Sequence, residues 1–306
     1  MPMKNASQIW FNGKLVPWEQ AQVHVFAHAI HYGSSVFEGI RAYDTARGTA
    51  VWCLPQHMDR MYLSARMYHL AIPYTKEDLT NAVVETVRAS QMRSCYIRPI
   101  AFRGYDTIGV DPRGCPVDVA IGVIDWGRYL GPEAIEQGVK VCISSWRRMA
   151  PDTIPALAKI GGHYTNSQLM VMEAKERGFD EAIALDVAGY VSEGPGENIF
   201  LVWRNVLYTP PLGSSILMGI TRDCTITLAK EMGYEVREQA IPREMLYVAD
   251  EVFFTGTAAE ISPIRSVDGI QVGPGHRGPV TKRLQEEVFG ITDGSRADRH
   301  GWLTQV

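Results

Sequence analysis

PALAKIGGHY, residues 155–164, decides how the rest of the chain is read. A lysine is usually a solvated surface charge. Lys159 instead sits among Ala156, Leu157, Ala158 and Ile160, is followed by Gly161 and Gly162, and has no carboxylate within four residues on either side. An amine in an apolar setting is pushed toward its neutral, nucleophilic form. Such an amine can hold a carbonyl compound covalently, and paired glycines let the backbone pass close to a flat ligand.

Outward from that segment, the composition sets bounds. A chain of 306 residues can bury a large core, and its length suits one large domain or two moderate ones; we expect two. Apolar residues at 46% and charged residues at 21% are ordinary for globular domains, so disordered and fibrous classes drop out. A formal charge of -4 without a basic run argues against a nucleic-acid partner and leaves small metabolites. The beginning, MPMKNASQIWFNG, has no apolar core of a signal peptide and no membrane span, so a cytoplasmic protein with no membrane partner is expected. Cys53, Cys95, Cys115, Cys142 and Cys224 form no C-x-x-C pair and read as small buried thiols.

Upstream, QIWFNGKLVPW from Gln8 to Trp18 carries Asn12-Gly13 between two apolar runs and predicts an opening β-hairpin. His24, His28 and His31 fall at i, i+4 and i+7, but no acidic residue joins them, so no metal site is expected. Tyr32-Gly33 and Phe37-Glu38-Gly39 suit a loop and strand lining a pocket. Met58, Met61, Tyr62, Ala65 and Tyr68 recur at helical spacing, with Asp59, Arg60 and Arg66 off the apolar stripe. Thr75 with Asp78 is a capping-box signature for a second helix ending near Ser90. SCYIRPIAFRG and VDVAIGVIDW read as strands, which puts Tyr96 and Arg98 on one face. That pair makes either an anion site or a solvated strand face.

Three glycines and a proline between Gly127 and Gly138 mark the expected boundary. Downstream, VKVCISSW reads as a strand and Ser167 to Arg177 as a helix stopped by Gly178. EAIALD with YVSEG, and NIFLVW with VLYTP, read as hairpins, the first delivering Glu193.

Four further features need a common explanation. In SEGPGENIF, Glu193 stands at a strand end; a dinucleotide fingerprint would need a third glycine and a following helix, and a strand begins at Asn198 instead. In LMGITRD, Gly219 precedes Thr221 and an amphipathic helix whose N-terminus can seat a phosphate. FFTGTAAEISPI breaks at Gly256 into Thr257, Ala258 and Ala259, small residues with exposed amides. Arg60 supplies a charged phosphate partner. An amine for an aldehyde, an acid for a pyridine nitrogen and a seat for a phosphate are the parts that pyridoxal phosphate requires.

With those motifs in order, HYGSSVFEGIRAY, YIRP, the Lys159 segment, SEGPGENIF, MGITRD and TGTAAEI, the chain closely resembles the branched-chain amino-acid aminotransferases of the fold-type IV pyridoxal-phosphate enzymes, bacterial biosynthetic type. The resemblance runs almost end to end. It implies a mixed α/β fold of two domains: a small N-terminal α/β domain (1–127), an interdomain loop (128–138) and a larger C-terminal cofactor-binding domain with a pseudo-barrel core (139–306). It implies pyridoxal 5'-phosphate as cofactor, carried covalently on Lys159, with Glu193 on the pyridine nitrogen and Tyr164 on the phenolic oxygen. Arg60, Gly219, Ile220, Thr221 and Thr257 would hold the phosphate, and the amides of Thr257, Ala258 and Ala259 the substrate carboxylate. Tyr32, Phe37, Tyr96, Trp126, Tyr129 and Tyr164 would wall an apolar pocket that Gly39 helps to line, and Arg98 would receive a second carboxylate. The expected reaction exchanges an amino group between L-branched-chain amino acids and 2-oxoglutarate. A homodimer or larger assembly, up to a hexamer, is implied, with loops carrying Tyr32 and Val110 reaching a neighbouring site. A D-amino-acid aminotransferase or an aminodeoxychorismate lyase of the same fold is the rival reading, and a non-catalytic cofactor carrier a further one.

Overall fold

The computed structural model describes residues 4–127, 129–131 and 133–306. The first three residues, and Arg128 and Pro132 of the expected interdomain loop, lie outside them. The chain divides into two compact units. One comprises the residues up to Gly127 with Ala158–His163 and Gly290–Val306; the other runs from there to Leu157 and resumes over Tyr164–Phe289.

In the first unit the Asn12-Gly13 hairpin forms as read. Gln8–Phe11 pairs antiparallel with Lys14–Pro17, closed by Phe11 opposite Lys14, with both turn residues at positive φ (47° and 93°). An antiparallel sheet runs in the order Leu303–Gln305, Gly48–Trp52, Ile40–Thr45, Cys95–Arg103, Val117–Asp125, Gln8–Phe11, Lys14–Pro17, and the short strand Ser35–Phe37 pairs with Cys95–Arg103. Its core gathers Ile40, Leu54, Met58, Met61, Leu79, Val83, Ile97 and Ile121. The helix Lys76–Ser90 starts with the capping box, Thr75 accepting from the Asp78 N–H while Asp78 accepts from that of Thr75. On the helix Leu54–Met67, Met58, Met61 and Ala65 of the apolar stripe are buried and Tyr62 is half-buried, while Tyr68 is the C-cap; His57, Arg60 and Ser64 are buried as well. Arg60 is therefore not turned away from the interior.

In the second unit the strand order is Glu181–Ile183, Val139–Ile143, Glu260–Val267, Glu251–Gly256, Asn198–Trp203, Val206–Thr209, Glu235–Glu238. NIFLVW and VLYTP form their hairpin with Arg204 and Asn205 at φ 53° and 63°. EAIALD behaves differently: Glu181–Ile183 pairs parallel with Val139–Ile143, and only the end of the stretch meets YVSEG. There Ala184 donates to the Glu193 carbonyl at 2.9 Å and Asp186 to that of Tyr190 at 2.8 Å, which fixes the backbone of Glu193. The helix read as Ser167 to Arg177 is Tyr164–Glu176. Its early start puts Tyr164 on the first turn, directly after the lysine segment. All five cysteines are buried free thiols. Among the described residues, no helix is long and apolar enough to cross a membrane.

Candidate active site

The backbone turns tightly at Lys159, where Ile160 N–H donates to the Ala158 carbonyl at 3.1 Å. Ile160 bridges Val36 antiparallel, and Ala158 and Ile160 are 1% and 2% exposed in the core of the first unit. Ala158 and Ile160 pack into that core while Lys159 between them is half-buried. Its amine lies 4.9 Å from the centroid of the Phe37 ring. The backbone is fixed at both ends: Lys159 N–H donates to Ser64 Oγ at 2.9 Å, and its carbonyl accepts from Phe37 N–H at 3.1 Å. Gly33 and Gly162 pack backbone to backbone. A Cβ on Gly33, already at φ +63°, would lie 2.7 Å from Gly162 Cα.

The same Phe37 ring faces a second cation, with Arg98 Cζ 4.7 Å from its centroid. Arg98 Nη2 donates to the buried Tyr96 hydroxyl at 3.0 Å, and Trp126 meets the Tyr96 ring edge-on at 4.7 Å. Gly39 completes the arrangement, because a Cβ there would stand 2.0 Å from the Tyr96 oxygen. Phe37, Gly39, Tyr96, Arg98, Trp126 and Lys159 are thus brought together within one unit. Tyr32 is turned elsewhere: 43% exposed, it donates to the Ile108 carbonyl at 2.8 Å.

Arg60 belongs to a buried cluster that local patterning does not reveal. Its Nε and Nη2 bind the two oxygens of Glu38 at 2.7 and 2.6 Å, and His57 Nδ1 donates to Glu38 Oε2 at 2.8 Å. Burial raises the Glu38 carboxyl, but the charge and hydrogen bonds of Arg60, aided by His57, outweigh it and hold Glu38 well below the usual carboxylate range. Burial pushes His57 down, against the upward pull of Glu38 and with the charges of Arg60 and Lys159. Arg60 therefore supplies the positive charge, and His57 is a neutral donor whose Nε2 is buried without a hydrogen bond. His57, Arg60 and Ser64 lie at i, i+3 and i+7, one helix face that holds Glu38 and the Lys159 backbone.

The second unit holds Glu193, Tyr164, Tyr129, Gly219, Ile220, Thr221, Thr257, Ala258 and Ala259. Glu193 is buried and engaged on both oxygens. Oε1 meets Arg148 Nη2 at 2.7 Å; Oε2 accepts from Leu217 N–H at 2.9 Å and Asn198 Nδ2 at 3.1 Å. Gly219 is the N-cap of the helix Ile220–Glu231 and offers no side-chain cap. A Cβ on it would lie 1.7 Å from Asn198 Oδ1. The missing side chain lets Asn198 bridge from the acid to the helix start, and the first-turn amides stay available to an anion. Thr257, Ala258 and Ala259 form the turn joining Glu251–Gly256 to Glu260–Val267, with Gly256 opposite Glu260. Tyr129 donates to Glu181 Oε2 at 3.2 Å; burial, then the charges of Glu197 and Glu181, raise its phenol well above the ordinary value and keep it protonated.

Among the described residues no cluster of His, Cys, Asp or Glu could hold a metal ion. His28 is committed to Ser34 Oγ and the Gly109 carbonyl, at 2.6 and 3.1 Å.

The first unit thus holds a half-buried lysine and an arginine on one aromatic ring, and the second a buried acid and a helix N-terminus without a side-chain cap. The profile of the family Amino-transferase class IV matches residues 35–267, and the chain belongs to that family. It is 54% identical to a branched-chain-amino-acid aminotransferase of Escherichia coli strain K12, over 100% of this chain and 99% of the relative. The crystal structure of the E. coli enzyme superposes with a TM-score of 0.96 at 54% identity, covering 98% of this chain and 99% of that one. The branched-chain amino acid aminotransferase from Thermobaculum terrenum, in its PLP-bound holo form, superposes with a TM-score of 0.91 at 33% identity, covering 98% of each chain.

Proposed function

We propose that this chain transfers the amino group between L-leucine, L-isoleucine or L-valine and 2-oxoglutarate, using pyridoxal 5'-phosphate. One observation carries the reading: Lys159 and Arg98 stand on one aromatic ring, Phe37, at 4.9 and 4.7 Å. An amine that takes a carbonyl and a guanidinium that takes a carboxylate are what a 2-oxo diacid needs at its two ends, and the aromatic surroundings suit a branched aliphatic side chain. The names of the relatives support the same substrates.

The residues fit the cofactor. Gly219 leaves a cradle at a helix start that no side chain caps, and the donor set, amine, buried carboxylate and anion seat, matches aldehyde, ring nitrogen and phosphate. Bound there, the cofactor would supply an aldehyde for the amino group and a ring that accepts electrons from the substrate Cα. Lys159 Nζ would hold it covalently and, once released, carry the proton taken from Cα. Glu193 would face the ring nitrogen and Tyr164 the phenolic oxygen. Arg60, aimed by Glu38, would share the phosphate with Gly219, Ile220, Thr221 and Thr257. The Thr257–Ala259 amides would take the α-carboxylate. Arg98 would bind the second carboxylate of 2-oxoglutarate and let leucine pass without leaving a buried charge unpaired.

The working unit we propose is a homodimer or a larger assembly. Val25, Phe26, Ile30, Ile108 and Val110 are between 48% and 79% exposed, and the bonds from Tyr32 to Ile108 and His28 to Gly109 join their two segments into one apolar surface.

The test is the visible spectrum of the purified protein. L-leucine should convert the cofactor band to the pyridoxamine form and 2-oxoglutarate should restore it. A band that ignores L-leucine and responds to D-alanine or aminodeoxychorismate would transfer the chain to its rival class.

A further inference from the structure

We infer that Arg148 is a positioning residue of the reaction: it fixes Glu193 as an oriented anion, so that recognition of the cofactor's ring nitrogen depends on a residue that contacts the acid. The inference rests on the functional reading above.

Arg148 and Glu193 are 6% and 4% exposed, and their closest atoms are 2.7 Å apart. Removing two charges from water costs about as much as their attraction returns, so such a pair contributes little net stability and an apolar pair would pack as well. Its geometry points to orientation instead. Arg148 is held by its backbone N–H on the Leu185 carbonyl at 2.9 Å and by Nη1 on Asn166 Oδ1 at 3.2 Å; Asn166 in turn donates from Nδ2 to the Arg147 carbonyl at 3.0 Å. The guanidinium therefore meets Glu193 from a fixed direction, while its Nε is buried without a hydrogen bond. The other oxygen accepts from two neutral donors, Leu217 N–H and Asn198 Nδ2. Arg148 is a cation in direct contact with Glu193, and loss of its charge drives a carboxyl in this buried setting toward its neutral form. A neutral acid loses the charge-assisted hydrogen bond that discriminates a protonated pyridine nitrogen from a carbon at the same place.

The experiment measures binding to the chain stripped of cofactor, with pyridoxal 5'-phosphate and with its 1-deaza analogue, in which CH replaces the ring nitrogen. A general loss of structure weakens both ligands alike; loss of the oriented anion weakens only the first. The native chain should prefer pyridoxal phosphate by about ten- to hundred-fold, the equivalent of one charge-assisted hydrogen bond. Arg148→Met and Arg148→Gln should reduce that preference to within roughly threefold of unity, while affinity for the analogue stays near native. Arg148→Lys keeps a charge but not the fork, and should lose roughly three- to tenfold of the preference. It carries the test if the neutral variants do not fold. Full preference retained in any folded variant overturns the inference while the functional reading stands. A native chain that binds neither ligand, or both equally, overturns the role of Glu193 itself and the inference with it.

Discussion

Replacing Glu38 by Gln tests whether the first unit depends on its buried ionic cluster. Glutamine keeps the shape of the side chain but removes the charge from a site that is fully enclosed, and it leaves the Arg60 fork facing an amide. Breaking a buried pair by neutralising one member costs about 3–5 kcal/mol, because the remaining charge stays in the interior. For a chain of this size that is a fall in Tm of roughly 6–10 °C, at about 2 °C per kcal/mol. The effect must also depend on pH in a definite direction. The folded Glu38 carboxyl ionises far below its ordinary value of 4.5, so its contribution is complete above that value and is lost as pH falls through the range below it. With the folded carboxylate still ionised, the advantage of the native chain over the variant shrinks by about 1 kcal/mol at pH 4 and about 2 kcal/mol at pH 3. Calorimetric melts of the cofactor-free proteins at pH 7, 4 and 3 would read both numbers. A variant that melts within about 2 °C of the native protein at pH 7, or a gap that does not narrow in acid, would refute the assignment of Glu38 as the ionised partner of Arg60.

Arg98→Leu should raise the KM for 2-oxoglutarate by roughly ten- to hundred-fold through loss of a charge-assisted bond, and that for 4-methyl-2-oxopentanoate far less. Gly39→Ala should shift the ratio the same way, because its methyl group displaces the Tyr96 hydroxyl that Arg98 holds; equal changes for both substrates would remove Arg98 from substrate choice. Val110→Asp, at a side chain 79% exposed on the apolar surface, should lower the molecular mass measured by light scattering at micromolar concentration. An unchanged mass would show that another face carries the assembly.

Much of the fold is legible because its signals are local. Asn12-Gly13 and Arg204-Asn205 occupy positive φ in their turns, and Thr75 with Asp78 closes a capping box; each needs only a few residues to be recognised. The site is legible to the extent that its members sit in motifs, as Tyr96 and Arg98 do on one strand face. What the sequence hides is pairing at long range. Ser64 accepts from Lys159 across 95 positions, and Glu38 meets His57 and Arg60 across 19 and 22. A buried acid among apolar residues looks the same in a sequence whether or not a cation faces it. The environment of Lys159 shows the same limit. Its apolar neighbours suggest a desolvated amine, yet Ala158 and Ile160 are spent on the core, and it is Phe37 that flanks the amine.

The two units solve one electrostatic problem with roles exchanged. In the first, on the function proposed above, the carboxylate Glu38 would be the support and the arginine the working group: Glu38 binds Nε and Nη2 and so fixes the plane of the Arg60 fork. In the second, on the same proposal, the arginine would be the support and the carboxylate the working group: Arg148 binds one oxygen of Glu193, and Asn198 and Leu217 bind the other. Neither pair is explained by stability alone, since apolar residues fill such space as well. Their common property is that each presents a charge already desolvated and aimed, so that little reorganisation accompanies the arrival of the opposite charge. That predicts unequal tolerance. Replacing both members of a pair by apolar residues of similar volume, Glu38 with Arg60 or Glu193 with Arg148, should leave the fold closer to intact than the cofactor affinity, whereas trimming Ile160 or Val36, which anchor the Lys159 segment in the core, should lower both together.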